Sequence, residues 1–414
     1  MGKLIVTKIN VQGKAIIFRG FHDGSKFYQI GLECEDGTHT AMVGNIYVGR
    51  VRDVVKNINA AFIEYKKGEV GYFSIPENKN PVFLNRKSTN KVCQGDLLLV
   101  QVAKEAVKTK EPVLTSNISL TGKFIVLNVS KSGVGFSNKI KDITFKNEVR
   151  TVLLEALECI LEQYKEEYGV IVRTNAVAAD VNEIKTELLR LVDKFRNMHS
   201  EAMCRTCFTI MHKEDYNYLK LIRHAYNGEI EEIITDNEQI YDNMQNYLNV
   251  NGLTGYSTCL RLYKDELLPL HKLYSIESLM REITDRKVWL KSGAYLVIEP
   301  TEAMVVIDVN TGKCIKGRDL RHTILNVNLE AAKEIAYQIR LRNLSGIIVI
   351  DFINMEKEED KQKLLTVLND YFSNDRIKTS LVDMTKLNLV EVTRKKTEPP
   401  IEEQLKNVLY NKHI

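Results

Sequence analysis

The sequence predicts a multidomain protein of mixed β and α/β type, with a small closed β-barrel early in the chain and an α/β layer late in it. Three observations predict this. Roughly the first 120 residues are short apolar strands broken by glycine and other turn formers. Long helical periods begin only near Val149, and from Ile276 onward strands alternate with helices. The chain has 414 residues and 44% hydrophobic content, more than one compact core needs, so two or more modules are expected.

Strands are expected at residues 4–6, 15–18 and 28–32, with Gly13, Gly20, Gly24 and Gly37 punctuating them. The rhythm continues at 46–51, 60–65, 70–73 and 97–102. About five strands in roughly 75 residues suggest a closed barrel such as an OB-fold. A strand follows at 124–127. From Val149 to Tyr168 the apolar residues Val152, Leu153, Ala156, Leu157, Ile160 and Leu161 keep a helical period. A buried strand is read at 169–174, and a helix opening at Asp180 runs to about Cys207, followed by a mixed stretch to about Leu273. Beyond Ile276, strands are expected at 294–299, 303–308 and 346–351, and helices at 328–343 and 359–371.

Composition narrows the function classes. Lys and Arg number 58 against 54 Asp and Glu, a formal charge of +4, so a nucleic-acid site would need its positive charge gathered locally. No segment reaches the roughly 18 consecutive apolar residues of a membrane helix. The opening residues show neither a signal peptide nor, with Val6 in place of Ser or Thr, a myristoylation motif. A cytoplasmic protein is expected. The cysteines, Cys34, Cys93, Cys159, Cys204, Cys207, Cys259 and Cys314, are odd in number and scattered, which reads as free thiols. Cys204 and Cys207 form a lone Cys-x-x-Cys with only His199 and His212 nearby, and no zinc is expected there.

Two aspartates carry the sharpest chemistry. Asp308 closes the apolar run Met304-Val305-Val306-Ile307, and Asp351 closes Ile347-Ile348-Val349-Ile350. A helix with Leu329, Ala332, Ala336 and Ile339 on its inner face separates the two strands, so they are expected as parallel neighbours. Their carboxylates then meet at the C-terminal edge, where open α/β sheets place their sites. Two such anions repel unless a cation or proton lies between them. Mg²⁺ suits the position, because it takes one or two carboxylates and keeps waters that a phosphate can replace; Mn²⁺ is the alternative. Asn310, two residues beyond Asp308, points to the same side of an extended segment. A single aspartate after a buried strand is commonly a turn or helix cap; for two on adjacent strands with Asn310 beside one of them, a metal site and a pair of caps are both open on the pattern alone.

Other residues suggest a grip on RNA. Phe62 and Tyr72 lie on neighbouring strands of the expected barrel, followed by the basic connection Lys104, Lys108 and Lys110; the alternative is that Phe62 is core and the lysines are a solvated loop. Arg173 and Thr174 end a buried strand and could hold a phosphate. Arg394-Lys395-Lys396 follows Leu389-Val390-Glu391-Val392-Thr393, and is expected at a strand end near the carboxylates, or as a solvated loop.

On these segments the chain resembles the ribonuclease E/G family. The matching stretches include Gly44-Asn45-Ile46-Tyr47-Val48-Gly49-Arg50-Val51, Ala60-Ala61-Phe62, Leu114-Thr115-Ser116-Asn117-Ile118-Ser119-Leu120 and Gly169-Val170-Ile171-Val172-Arg173-Thr174. They continue with Ile307-Asp308-Val309-Asn310-Thr311-Gly312, Arg340 through Ile353, and Leu389 through Thr397, so the likeness runs from Met1 to about Pro400. The resemblance implies an S1-type OB-fold (39–119) inserted in an RNase H-like subdomain split between 1–38 and 219–285. It further implies a 5′-sensor region (120–218), a DNase I-like catalytic subdomain (286–400) and a helical tail (401–414). It implies that Asp308 and Asp351 bind the catalytic Mg²⁺ with Asn310 in support, that Arg394 is a basic residue near the active site, that Phe62, Tyr72 and Lys110 contact RNA, and that Arg173 and Thr174 recognise a 5′-monophosphate.

The implied activity is endonucleolytic hydrolysis of single-stranded, AU-rich RNA to 5′-phosphate and 3′-hydroxyl ends, in ribosomal or messenger RNA processing and turnover. Departures from the family pattern are Tyr72 where Phe is frequent, Asn354 where Asp is common, and no Cys-Pro-x-Cys after Lys396. The last points to homo-oligomers, if any form, without a zinc link, and the short tail 401–414 in place of a long disordered one makes the short ribonuclease G-like type the expectation. Two rival functions stay open at this stage: an RNA-binding protein with a vestigial nuclease site, and a nuclease for single-stranded DNA.

Overall fold

The structure is a computed structural model describing residues 2–34, 43–85, 91–104, 110–164, 166–225, 229–312 and 320–410. The chain divides into two compact units. One is Thr38–Asn227; the other joins Met1–Gly37 to Gly228–Ile414.

In the first unit, strands Ile46–Val55, Ala60–Lys66, Glu69–Ser74, Leu97–Lys104 and Val113–Thr115 close into a five-stranded barrel. The first pairs with the second and the second with the third, the third pairs in parallel with the last, the last pairs with the fourth, and the fourth returns to the first. That is OB-fold connectivity, and the barrel expected from sequence is present. Alternation fills the interior with Val51, Ala61, Ile63, Tyr65, Phe73, Leu98, Val100 and Leu114. Gly49 is required where it stands: a Cβ there would lie 2.6 Å from Ile63 Cγ2 and 2.9 Å from Val100 Cγ2.

The same unit holds a four-stranded sheet of Ser119–Thr121, Ile125–Asn128, Gly133–Phe136 and Gly169–Val172, packed with helices Ile143–Tyr164 and Val181–Ala202 around one core. The first helix starts six residues before the periodic stretch that announced it. The second is capped by Asp180, whose side chain accepts from Asn182 N, and ends at Ala202. Residues 203–207, expected as helix, are turns instead.

The other unit contains two sheets. Gly2–Val11 lies centrally in the first, antiparallel to Lys14–His22 and parallel to Ile230–Thr235, with Phe27–Cys34 and Leu260–Leu262 at the edges. Strands from before and after the first unit thus share one sheet, and the helix Ile401–Tyr410 packs its Ile401, Val408 and Leu409 into the same core. The second sheet runs Lys287–Trp289, Tyr295–Pro300, Met304–Asn310, Gly346–Asp351, Leu389–Arg394, Thr379–Met384. Only Met304–Asn310 and Gly346–Asp351 are parallel; they are joined through the helix Leu320–Leu341, as the separation of the two aspartates predicted. That helix and Glu358–Ser373 cover one face, burying Val305, Ile307, Val309, Ile348, Ile350, Val390 and Val392. The alternate residues face the other way and stay exposed or half-buried.

Candidate active site and RNA-contacting residues

Asp308 and Asp351 are direct partners across the parallel pair, which sets their Cα atoms about 4.8 Å apart. They lie on the face away from the helices, and Asn310 shares it. The Asn310 Nδ2 donates to Asp308 Oδ2 at 2.7 Å, fixing that carboxylate. Both aspartates therefore project from an open sheet face, and the Asp308 strand runs two residues past the aspartate. The C-terminal edge expected from sequence holds for Asp351, which ends its strand, while Asp308 sits two residues inside. Asp351 holds its proton to higher pH than an ordinary aspartate, first because partial burial disfavours its charge and second because Asp308 lies beside it. This is the signature of an anionic pair that a cation would relieve. The donors are hard oxygens, which fit Mg²⁺ or Mn²⁺.

Arg394 is a correction to the sequence reading. It pairs with Gly346, the first residue of the strand that ends at Asp351, whose own partner is Leu389. Five residues of strand, about 17 Å, separate it from the carboxylates. Because Leu389–Arg394 runs antiparallel, its C-terminal end lies at the far side of the sheet. Arg394 is 4% exposed; its Nε donates to Asp375 Oδ2 at 2.7 Å, and Nη1 donates to Asn343 Oδ1 and the Leu344 carbonyl. It is a structural anchor. A cation nearer Asp351 is Lys361, whose Nζ donates to Asn388 Oδ1, next to Leu389. Asn388 in turn donates to Asn354 Oδ1. A cleft of about 240 Å³ lined by Glu299, Pro300, Thr301 and Leu344 also lies toward that far end and is separate from the carboxylates.

On the barrel, Phe62 and Tyr72 are direct cross-strand partners, with ring centroids 6.2 Å apart and nearly perpendicular. Both are half-buried and outside the barrel core cluster. Lys110 is exposed and precedes Pro112, whose carbonyl accepts from Tyr72 N. Lys104 is exposed at its strand end, and Lys108 lies outside the described residues.

Arg173 and Thr174 sit where the Gly169–Val172 strand turns into a short 3₁₀ segment. Arg173 Nη1 donates to the carbonyls of Gly122 and Lys123, and Nη2 lies 2.9 Å from His224 Nδ1. Thr174 Oγ1 is 3.2 Å from Ser137 Oγ. The turn that Arg173 grips is held from its other side by Glu187, which is buried and accepts from the backbone N–H groups of Lys123, Phe124 and Ile125 at 2.7–2.9 Å.

Cys204 is exposed and Cys207 half-buried, both free. Cys314 lies outside the described residues. Among the described residues no cluster of three or more His, Cys, Asp or Glu side chains is arranged to hold a metal, and no helix is long and apolar enough to cross a membrane.

Two residues beside the carboxylates were missed in the sequence, Trp289 and Tyr295. Trp289 pairs with Tyr295, and Tyr295 with Asn310, so all three share the open face. The signal available was the alternation in Lys287-Val288-Trp289, which needs the pairing register before it points anywhere.

The family model described as the ribonuclease E/G family matches residues 119–397. The chain belongs to the ribonuclease E/G family. It is 33% identical to a ribonuclease E of Nostoc sp. over 359 residues, 86% of this chain and 51% of that protein. It is 31% identical to the ribonuclease G of Salmonella typhimurium over 402 residues and 32% identical to that of Escherichia coli K12 over 399, in each case 93% of this chain and 78% of the relative. The chain thus spans about half the length of the matched ribonuclease E and over three quarters of the ribonuclease G proteins.

Proposed function

We propose that the protein is an endoribonuclease that hydrolyses single-stranded RNA with a divalent metal, Mg²⁺ or Mn²⁺, held by Asp308 and Asp351. The observation that carries this reading is the in-register pair of aspartates with Asn310 bonded to one of them. Family membership adds that RNA is the substrate class.

Asp308 and Asp351 supply the negative oxygens that hold the cation, and Asn310 keeps the Asp308 carboxylate from rotating away. When bound, the metal supplies Lewis-acid polarisation of the phosphodiester and a lowered pKa for the attacking water. Such a hydrolysis leaves a 5′-phosphate and a 3′-hydroxyl. Phe62 and Tyr72 would stack bases of the strand, with Lys110 countering its backbone, since stacking is tolerant of sequence. Arg173 and Thr174, with His224 and Ser137 beside them, are a polar cluster suited to a terminal 5′-phosphate. In this reading the preference for AU-rich single strands and for 5′-monophosphorylated ends, the split RNase H-like and DNase I-like subdomains, and a role in ribosomal or messenger RNA processing in the cytoplasm follow the family resemblance.

The test is cleavage of a short 5′-monophosphorylated single-stranded RNA with Mg²⁺ by wild type and Asp351→Asn. The expected result is cleavage by wild type to 3′-hydroxyl products and loss of at least a hundredfold in the variant with RNA affinity retained. If both bind RNA and neither cuts it, the nuclease reading falls. Equal cleavage of the DNA counterpart would remove the restriction to RNA.

A further inference from the structure

Trp289 is the chain's single tryptophan and is 63% exposed, on the edge strand of the carboxylate sheet. Its ring centroid is 5.2 Å from that of Tyr295, with the planes tilted by 58°. The Lys287 ammonium lies 4.1 Å from the Trp289 centroid and 3.6 Å from that of Tyr295. Pairing ties this group to the aspartates. Lys287 is opposite Val297, Val297 opposite Asp308, and Asp308 opposite Asp351, so these four form one row across the open face. Trp289, Tyr295 and Asn310 form the next row toward the C-terminal ends of the parallel strands. Strand spacing places Tyr295 about 5 Å and Trp289 about 10 Å from Asn310.

We propose that Trp289, Tyr295 and Lys287 form a base-stacking platform for a nucleotide flanking the scissile phosphate, so that the catalytic sheet itself positions the strand it cuts. Aromatic faces with an adjacent cation are the chemistry by which unpaired bases are held without sequence readout. The ammonium occupies one side of the ring pair, and the exposed surface of Trp289 remains to receive a base. Val288 and Leu296, the alternate residues, are buried in the core; the aromatic pair therefore stands on the face that carries the chemistry. The proposal rests on the reading of Asp308 and Asp351 as the cleavage site.

Two measurements on the full chain test it. First, tryptophan emission of the Asp351→Asn variant is titrated with a short oligoribonucleotide in Mg²⁺. Saturable quenching by RNA is expected, because only one tryptophan can report. Emission that ignores RNA while a labelled oligoribonucleotide binds overturns the platform. So does emission that follows protein concentration without RNA, together with a sedimentation shift, which would mean that a second copy covers the ring. Second, kcat/KM for RNA cleavage is compared among variants. Trp289→Ala should lose about tenfold, mostly in KM, with unchanged Tm, and Trp289→Phe should recover most of it. Lys287→Gln should lose severalfold and weaken the salt dependence. Trp289→Ala equal to wild type overturns the platform and leaves the nuclease reading standing. Quenching by RNA in a chain that cuts nothing overturns the nuclease reading and with it the placement beside a scissile phosphate, leaving only a stacking surface at Trp289.

Discussion

Arg394 illustrates how much a single residue's surroundings decide. The segment Arg394-Lys395-Lys396 reads as a basic grip for phosphate, yet Arg394 and Asp375 form a buried ion pair with side chains 3% and 5% exposed. Removing one partner leaves the other charge buried and uncompensated, at a cost of about 3–5 kcal/mol. Arg394→Ala should therefore lower the urea midpoint sharply, while the fraction still folded cuts RNA with near wild-type kcat. A variant of wild-type stability that has lost activity by a hundredfold would return Arg394 to the active site. Asp308 and Asp351 were legible for the opposite reason. Each is a charge at the end of an apolar run, and one helix between two such runs places them side by side. Which end of the next strand lies beside them depends on strand direction, which no local pattern encodes.

At the scale of the element, periodicity was a good guide where burial is one-sided and a poor one elsewhere. The barrel strands alternate and were readable. In Met304–Asn310 and Gly346–Asp351, the open face also carries Val306, Ile347 and Val349, so both faces are apolar; Asp351 ends its strand as the sequence suggests, whereas Asp308 lies two residues inside its own. Ser119–Thr121 and Gly133–Phe136 are three or four residues long, too short for a period. What holds them is tertiary, and Glu187 shows it: one carboxylate from the Val181–Ala202 helix accepts three backbone N–H groups of the turn at 123–125, and Gly122 leaves room for it, a Cβ there lying 2.4 Å from Glu187 Cδ. Charge-assisted bonds of this kind contribute roughly 1.5–3 kcal/mol each, less than additively. Glu187→Ala should cost on the order of 3–5 kcal/mol, measured by denaturant unfolding. Glu187→Gln, which keeps an acceptor but adds a donor facing N–H groups, should fall between the two. Because Arg173 grips the same turn, both variants should also weaken any preference for 5′-monophosphorylated RNA. A Glu187→Ala chain as stable as wild type would show that the turn is held by other contacts.

At the scale of the whole molecule, four hydrophobic clusters of the described residues each stay within one of the two units. The clusters centred on the barrel and on its neighbouring helices draw only on residues 46–211, and the other two only on residues 5–34 and 234–409. Separate cores should unfold as separate cooperative transitions, and each carries its own handle. In Thr38–Asn227, burial and the nearby Lys194 push His212 down to about 4 from an ordinary 6.5, with its side chain 16% exposed and Glu214 the opposing charge. The unfolded chain takes up this proton below pH 6.5 and the folded one only near pH 4. Stability is therefore complete above pH 6.5 and lost as the pH falls from 6.5 toward 4, by on the order of 3 kcal/mol. His212→Gln should flatten that loss. In the other unit the proposed Mg²⁺ site exists only when the carboxylate pair is folded, so Mg²⁺ should raise that transition alone, by mass action. Asp351→Asn should abolish the Mg²⁺ effect and slightly raise the metal-free transition, since it removes a carboxylate whose charge is disfavoured next to Asp308. Calorimetry of the full chain should thus resolve two transitions, one moved by acid and cancelled by His212→Gln, the other moved by Mg²⁺ and cancelled by Asp351→Asn. A single transition that answers to both would mean that the two units unfold as one, and that metal binding at the carboxylates reaches the barrel through the stability they share.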